Sequence, residues 1–187
     1  MQAAPSGSAY ATMKPSSIAL YALGAILSSA LLYKSLLPVV TTSTQENVAR
    51  PAPPIALTDL SGQTASLQQY RGKVVLLDFW ATWCAACIDE LPDLKKLHAA
   101  LRGEDFELLA ASLDEAGPAA VRPFATRNAI PWRIAFADEA SIQDFQVFGL
   151  PTKFLIDRKG NIARKYIGGV DPRSLEQDIR KLLAEKS

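Results

Sequence analysis

Cysteine and histidine are scarce in this chain, whose 187 residues include two cysteines and one histidine. So few cannot form the dense disulfide network of a small secreted scaffold, and the chain alone cannot complete a zinc site of four cysteines, or of two cysteines and two histidines. An excess of basic charge is also missing, because 20 Lys and Arg residues face 19 Asp and Glu residues. Nucleic-acid binding is therefore not expected, since an excess of basic side chains is needed to neutralise a phosphate backbone.

The overall composition is that of a folded protein. Apolar residues make up 49% of the chain and charged residues 21%, which excludes a wholly disordered polypeptide. The length is sufficient for one domain of ordinary size plus an appendage, but not for two full cores. The sequence contains no internal repeat and no glycine-rich phosphate loop.

The appendage is predicted at the N-terminus, where no charged side chain occurs between Pro15 and Tyr33. A helix over this run would be about 28 Å long, close to the hydrocarbon thickness of a bilayer. We predict a short tail over residues 1–14 and a transmembrane signal anchor over residues 15–40. A buried helix of a soluble core and a cleaved signal peptide are the alternatives. The run is longer than the apolar region of a typical signal peptide, and no clear Ala-x-Ala site follows it.

Residues 41–54 are polar and rich in proline, a composition that predicts an extended linker to a folded domain over residues 55–187. Lys14 precedes the predicted anchor and Lys34 interrupts it, so the positive-inside rule gives little evidence for its orientation. The cysteine chemistry described below favours the oxidising side of the membrane. We therefore expect a single-pass protein of the inner (cytoplasmic) membrane whose domain faces the periplasm or another extracytoplasmic space.

Strands and helices alternate along the predicted domain. Strands are predicted within residues 55–67, as a pair around a turn, and at residues 74–80, 106–113, 132–136, 152–157 and 162–167. Helices are predicted at about residues 84–101, 117–128, 139–148 and 171–185. Parallel crossovers followed by a terminal hairpin indicate an α/β domain in which helices flank a central mixed sheet.

The two cysteines stand where a buried strand passes into a helix. Backbone N–H groups and the positive end of the helix dipole stabilise a thiolate there, so Cys84 is the candidate nucleophile. Cys87 lies about one turn further along the same helical face, within reach of the first sulfur. This arrangement predicts that Cys84 attacks a disulfide and that Cys87 resolves the mixed disulfide. Half of a zinc site shared with other ligands, and a structural disulfide that closes a very short loop, are the alternatives.

The segment from Val74 to Cys87, followed by Gly149-Leu150-Pro151-Thr152, resembles the thioredoxin fold, and specifically the membrane-tethered TlpA/ResA/CcmG-like thiol-disulfide oxidoreductases. The resemblance covers most of residues 52–187. It includes a helix and a strand at residues 118–136 that are additional to plain thioredoxin. The expected fold is therefore thioredoxin-like, with this helix–strand insertion.

The resemblance also implies roles for individual residues. Cys84 aligns with the family's attacking cysteine and Cys87 with its resolving cysteine. Pro151 aligns with a cis-proline that faces the disulfide and whose flanking backbone pairs with substrate, although an isolated X–Pro bond would be expected to be trans. Its neighbours Leu150 and Thr152 are accordingly expected to bind substrate.

Three further residues are candidates for the site. Asp78 interrupts an apolar strand, where burial should raise its pKa toward the range useful for acid–base chemistry. Thioredoxin has an aspartate here that relays a proton to the inner cysteine, whereas many TlpA-like members have asparagine. We predict the relay, with a hydrogen-bonded structural acid as the alternative. Glu90 resembles a glutamate near the active site of cytochrome-maturation reductases, or is a solvated helix residue. Trp83 is expected to border the substrate surface.

The expected function is the reduction of disulfides in exported proteins, for which the resemblance suggests apocytochrome c or copper-site thiols. Two carboxylates near the sulfurs oppose thiolate formation and no basic residue occupies Ala85-Ala86, so the couple should be reducing. The redox-active Cys84–Cys87 disulfide is expected to be the only cofactor, with no metal. The family further implies a membrane or periplasmic thiol reductant upstream.

Two other functions remain as alternatives. One is a thiol-based metallochaperone that binds a soft ion such as Cu(I), although the only methionines, Met1 and Met13, are far from the pair in sequence. The other is a peroxiredoxin-like thiol peroxidase. The Pro-x-x-x-Thr-x-x-Cys context of those enzymes does not occur here.

Overall fold

A computed structural model describes residues 44–185 of the chain. The predicted N-terminal tail and membrane anchor, residues 1–40, lie outside this range. Within the range, no helix combines the length and the apolar character needed to cross a bilayer.

The described residues form eight strands, four helices and one short 3-10 helix at Leu67–Tyr70. The strands are β1 (Thr44–Pro51), β2 (Ala56–Asp59), β3 (Thr64–Ser66), β4 (Val74–Trp80), β5 (Phe106–Ser112), β6 (Arg133–Phe136), β7 (Thr152–Ile156) and β8 (Asn161–Ile167). The helices are α1 (Ala85–Ala100), α2 (Pro118–Arg127), α3 (Glu139–Asp144) and α4 (Pro172–Ala184).

All eight strands join in one mixed sheet with the order β1-β8-β7-β4-β5-β6-β2-β3. The pairs β4–β5 and β5–β6 are parallel, whereas β7 pairs antiparallel with both β4 and β8. Every residue of β4 is buried, because this strand is paired on both edges and covered on both faces. The predicted mixed sheet flanked by helices is therefore confirmed, and so is the thioredoxin-like fold.

The core has one apolar cluster on each face of the sheet. Leu76 and Trp80 of β4 pack on the side of α1, together with buried residues of α4. Leu77 and Phe79 point to the other face, where they pack with Phe145 and other residues. Alternation along β4 thus determines which side chains face α1, the helix that carries the cysteines.

Two segments differ from the predicted boundaries. Strand β1 lies within the segment predicted as a linker, and it pairs antiparallel with β8. A linker and an edge strand both have an extended backbone, and composition does not reveal that this one is paired with a neighbouring strand. Pro51 ends the strand at the edge of the sheet, where the missing N–H of proline is tolerated. Helix α3 ends at Asp144 instead of Phe148, and Gln146 adopts a positive φ of 52° in the connection to β7.

Candidate active site

A disulfide joins Cys84 and Cys87 at the start of α1. Cys84 is the N-cap residue of the helix, and its Sγ accepts a hydrogen bond from the backbone N–H of Cys87 at 3.2 Å. The backbone donors and the helix dipole therefore point at the sulfur of Cys84, which stabilises a thiolate there once the bond is reduced. Each cysteine is less than one-tenth exposed, so a substrate must approach through a defined opening.

The loop before Cys84 is held by Asp114, a residue that sequence analysis did not identify. Its carboxylate accepts hydrogen bonds from the Thr82 backbone N–H at 2.9 Å, the Thr82 hydroxyl at 2.5 Å and the Ser112 hydroxyl at 2.7 Å. These bonds fix the chain two residues before the nucleophile. Trp83, between the fixed residue and Cys84, is 68% exposed.

The loop before β7 contains the cis peptide bond Leu150–Pro151 that the family resemblance implies. Pro151 and Thr152 are buried, and the Thr152 hydroxyl donates to the Gly149 carbonyl at 2.7 Å. The Pro151 carbonyl accepts from the backbone N–H of Gly168 at 2.9 Å. The buried Thr152 side chain thus stabilises the loop through this hydrogen bond, while Leu150 is only partly buried.

A cavity of about 510 Å³ opens above the disulfide. Its lining residues are all uncharged: Trp83, Cys84, Ala85, Ala86, Leu113, Val147, Phe148, Gly149 and Leu150. Phe148 is 89% exposed, and with Trp83 it is one of the largest apolar side chains that the described surface presents. The sequence pattern predicts Phe148 only as the end of a helix and does not show that it lines a cavity with Cys84. The cavity is suited to apolar side chains next to a substrate cysteine.

Three charged side chains form a network on the side of the sheet that faces α1; two of them, Asp78 and Lys153, are buried, and the third, Glu90, is partly exposed. Lys153 of β7 is completely buried, and it stands opposite Asp78 of β4 in the antiparallel register. Its Nζ lies 2.5 Å from Oε2 of Glu90 and 3.5 Å from Oδ1 of Asp78. The other oxygen of Glu90 accepts from the Val170 backbone N–H at 3.0 Å. Glu90 is therefore an ion-paired residue between α1 and the sheet, not the solvated helix residue of the alternative interpretation.

Comparisons with known proteins agree with this geometry. Residues 48–165 match the AhpC/TSA family. The thiol-disulfide oxidoreductase ResA of Geobacillus kaustophilus (strain HTA426) is 31% identical over 158 residues, which cover 84% of this chain and 90% of the relative. The crystal structure of a DsbE-like thiol:disulfide interchange protein from Chlorobium tepidum has a TM-score of 0.68 and 31% identity, and covers 74% of this chain and 99% of that one.

The chain belongs to the AhpC/TSA family. Its relatives by sequence and structure identify it further as a protein thiol-disulfide oxidoreductase. A further relative is thioredoxin-like protein YneN of Bacillus subtilis (strain 168). It is 33% identical over 130 residues, which cover 68% of this chain and 76% of the relative.

In this oxidoreductase, Asp78 is a buried acid on the side of the sheet that faces the disulfide. It shares a face of β4 with Leu76 and Trp80, which belong to the same apolar cluster as both cysteines. Burial raises the pKa of Asp78 to about 6, while the Lys153 ammonium acts to lower it and the Glu90 carboxylate to raise it further. Oδ1 of Asp78 has no hydrogen-bond partner among the described residues. The carboxyl can therefore exchange a proton near neutral pH.

Proposed function

We propose that this oxidoreductase reduces disulfides in exported proteins, using Cys84 and Cys87 as its redox couple without a further cofactor. The observation that carries the proposal is the Cys84–Cys87 disulfide at the N-terminus of α1, beneath an uncharged cavity. In the reduced enzyme, the Cys84 thiolate attacks a substrate disulfide and displaces one substrate sulfur. Cys87 then attacks the Cys84 sulfur, which releases the second substrate sulfur and restores the enzyme disulfide. Two electrons pass to the substrate.

The surroundings of the cysteines support the reducing direction. Neutral alanines occupy both positions between them, and the charged network on the side of the sheet that faces α1 contains two carboxylates against one ammonium. A dithiol whose thiolate is stabilised by the helix N-terminus but by no basic residue between the cysteines has a lower potential than one with such a residue. We therefore expect a potential nearer to thioredoxin's roughly −270 mV than to the roughly −120 mV of the oxidant DsbA.

The proposed setting follows from the sequence and the family resemblance. The uncharged run from Pro15 to Tyr33 would anchor the enzyme in the inner membrane, with its domain on the extracytoplasmic side. A membrane or periplasmic thiol reductant would then supply the electrons. Apocytochrome c and copper-site thiols are the substrates that the TlpA/ResA/CcmG-like resemblance suggests.

Two measurements test the proposed activity and its direction. The protein should accelerate the reduction of insulin disulfides by dithiothreitol, and equilibration with a glutathione redox series should give a potential near that of thioredoxin. A potential near that of DsbA would contradict the reducing direction. Tight Cu(I) binding without insulin reduction would favour a metallochaperone, and peroxide-dependent turnover would favour a thiol peroxidase.

A variant of Phe148 tests the substrate surface. We expect Phe148→Ser to raise the KM for a peptide disulfide with apolar flanking residues by about tenfold, with kcat nearly unchanged. The reason is that partial burial of one aromatic side chain contributes about 1.4 kcal/mol to binding, and binding of this kind stabilises the ground and transition states equally. Steady-state kinetics on the peptide give the two constants.

Oxidised glutathione, which has no apolar side chains beside its disulfide, is the control substrate. The Phe148→Ser protein should reduce it at the wild-type rate. A parallel loss on both substrates would mean that the substitution disturbs the disulfide itself rather than the apolar surface.

A further inference from the structure

Lys153 is an unusual residue to find at the centre of a sheet. Its side chain is 0% exposed, although a buried ammonium is costly unless it is paired. It follows the cis-proline loop by two residues, and it shares the disulfide side of β7 with Leu155. The position brings one positive charge to the side of the sheet that faces α1, between the carboxylates of Asp78 and Glu90.

The surroundings of Asp78 contain few other charges. Strand β5 places Ala110 opposite it, and the apolar residues that α4 buries on this face are Leu175 and Ile179. Tyr166 of β8 pairs with Lys153 in register, but its hydroxyl donates to Asp178 at 2.8 Å. Within residues 44–185, the titratable groups on this side of the sheet include the two cysteines at the start of α1, Glu90 of α1, Lys153 of β7 and Tyr166 of β8.

The Lys153 ammonium lies closer to one of the two acids than to the other. Lys153 is 2.5 Å from Glu90 and 3.5 Å from Asp78, so Glu90 has the stronger pair. Burial and the nearby Glu90 carboxylate both oppose ionisation of Asp78, since like charges repel each other in a low-dielectric site, whereas the Lys153 ammonium favours it. Asp78 is therefore an acid whose pKa the Lys153 ammonium lowers and the Glu90 carboxylate raises.

We propose that Lys153 is a positioning residue that keeps Asp78 ionised at neutral pH, so that the Asp78 carboxylate accepts the proton of Cys87 during resolution of the mixed disulfide. The inference rests on the proposed exchange reaction. In this step the Cys87 S–H proton passes to Asp78, and the Cys87 thiolate attacks the Cys84 sulfur. The bond from Cys84 to the substrate sulfur breaks, the Cys84–Cys87 bond forms, and the departing substrate thiolate takes a proton from solvent. The dithiol is oxidised and the substrate disulfide is reduced.

The test follows the resolving step as a function of pH. Reduced full-length protein in detergent is mixed with oxidised glutathione, samples are quenched with acid, and decay of the Cys84–glutathione mixed disulfide is measured by mass spectrometry. We expect Lys153→Met to move the acidic limb of this rate profile upward by about one pH unit or more. Glu90→Gln should move it downward, because the neutral amide removes a repulsive charge and leaves Lys153 to Asp78 alone.

Lys165→Met is the matched control. Lys165 is also a buried lysine, on the neighbouring strand β8, but its Nζ lies over the rings of Phe148 and Phe154 and donates to the Gln146 carbonyl. Its removal should leave the pH midpoint of the resolving step unchanged. Adding Lys153→Met to Asp78→Asn should likewise move nothing further, because the group that Lys153 adjusts is already absent.

The outcomes separate this inference from the proposed function. A wild-type protein that neither forms nor resolves the mixed disulfide contradicts the function itself. An active wild type whose profile is unmoved in folded Lys153→Met protein contradicts the role of Lys153 alone. If Lys153→Met does not fold, Glu90→Gln decides: a downward shift that disappears in the Asp78→Asn background supports the inference, and an unmoved or upward profile overturns it.

Discussion

Replacing Cys84 by serine should lower insulin reduction by about 10³-fold or more, the largest effect we expect from any single substitution. Serine retains the size and position of the side chain but cannot form a thiolate, so the first attack on the substrate disulfide is lost. The helix N-terminus that stabilises the Cys84 sulfur is then present without a nucleophile. The turbidity assay with insulin and dithiothreitol measures the loss.

Cys87→Ser should fail in a different way, because attack by Cys84 is preserved and only resolution is removed. The variant should accumulate mixed disulfides with its substrates, which can be isolated from membranes and identified by mass spectrometry. Cys84→Ser is the matched control, since it keeps Cys87 and should trap nothing. Equal trapping by both variants, or wild-type turnover by either, would contradict the assigned order of attack.

The predicted elements were most accurate where a strand is covered on both faces. The apolar run from Val74 to Trp80 is found as β4 over the same residues, because a strand with neighbours on both edges and both faces needs apolar side chains throughout. Strand β1 shows the opposite case. Its sequence is mostly polar and ends in a proline, and only its partner β8 shows that it belongs to the sheet. An edge strand places few demands on its own sequence.

In the site, too, local sequence predicts some residues, whereas others depend on contacts between distant parts of the chain. Cys84 and Cys87 are three residues apart, so local sequence predicts their contact, and Asp78 is conspicuous as an acid in an apolar strand. Lys153 is equally conspicuous in the apolar run of β7, but its significance depends on the β4–β7 register, which joins residues far apart in sequence. Phe148 could not be placed because its exposure depends on where α3 ends.

The ionisation of Asp78 should be measurable as a pH-dependent loss of stability. Its folded pKa of about 6 lies above the ordinary value of 3.8. The folded state therefore binds the proton more tightly, and the free energy of unfolding falls as the pH rises from about 4 to about 6. A difference of about two pKa units between the folded and unfolded states lowers the free energy of unfolding by about 3 kcal/mol at neutral pH. Asp78→Asn should be more stable than wild type by roughly that amount at pH 8, and by almost nothing at pH 4.

Asp59→Asn provides a control of opposite sign. Burial acts to raise the pKa of Asp59, but hydrogen bonds from Ser61, Gln63 and Arg133 outweigh it and hold the pKa below its usual value. Asp59 therefore stabilises the fold above the acid range, and Asp59→Asn should be less stable than wild type at pH 8, with a deficit that shrinks in acid. Urea unfolding of the disulfide forms at both pH values measures each difference. If both variants were destabilised alike at pH 8, Asp78 would be an ordinary paired carboxylate, and the argument that it exchanges a proton with Cys87 would fail.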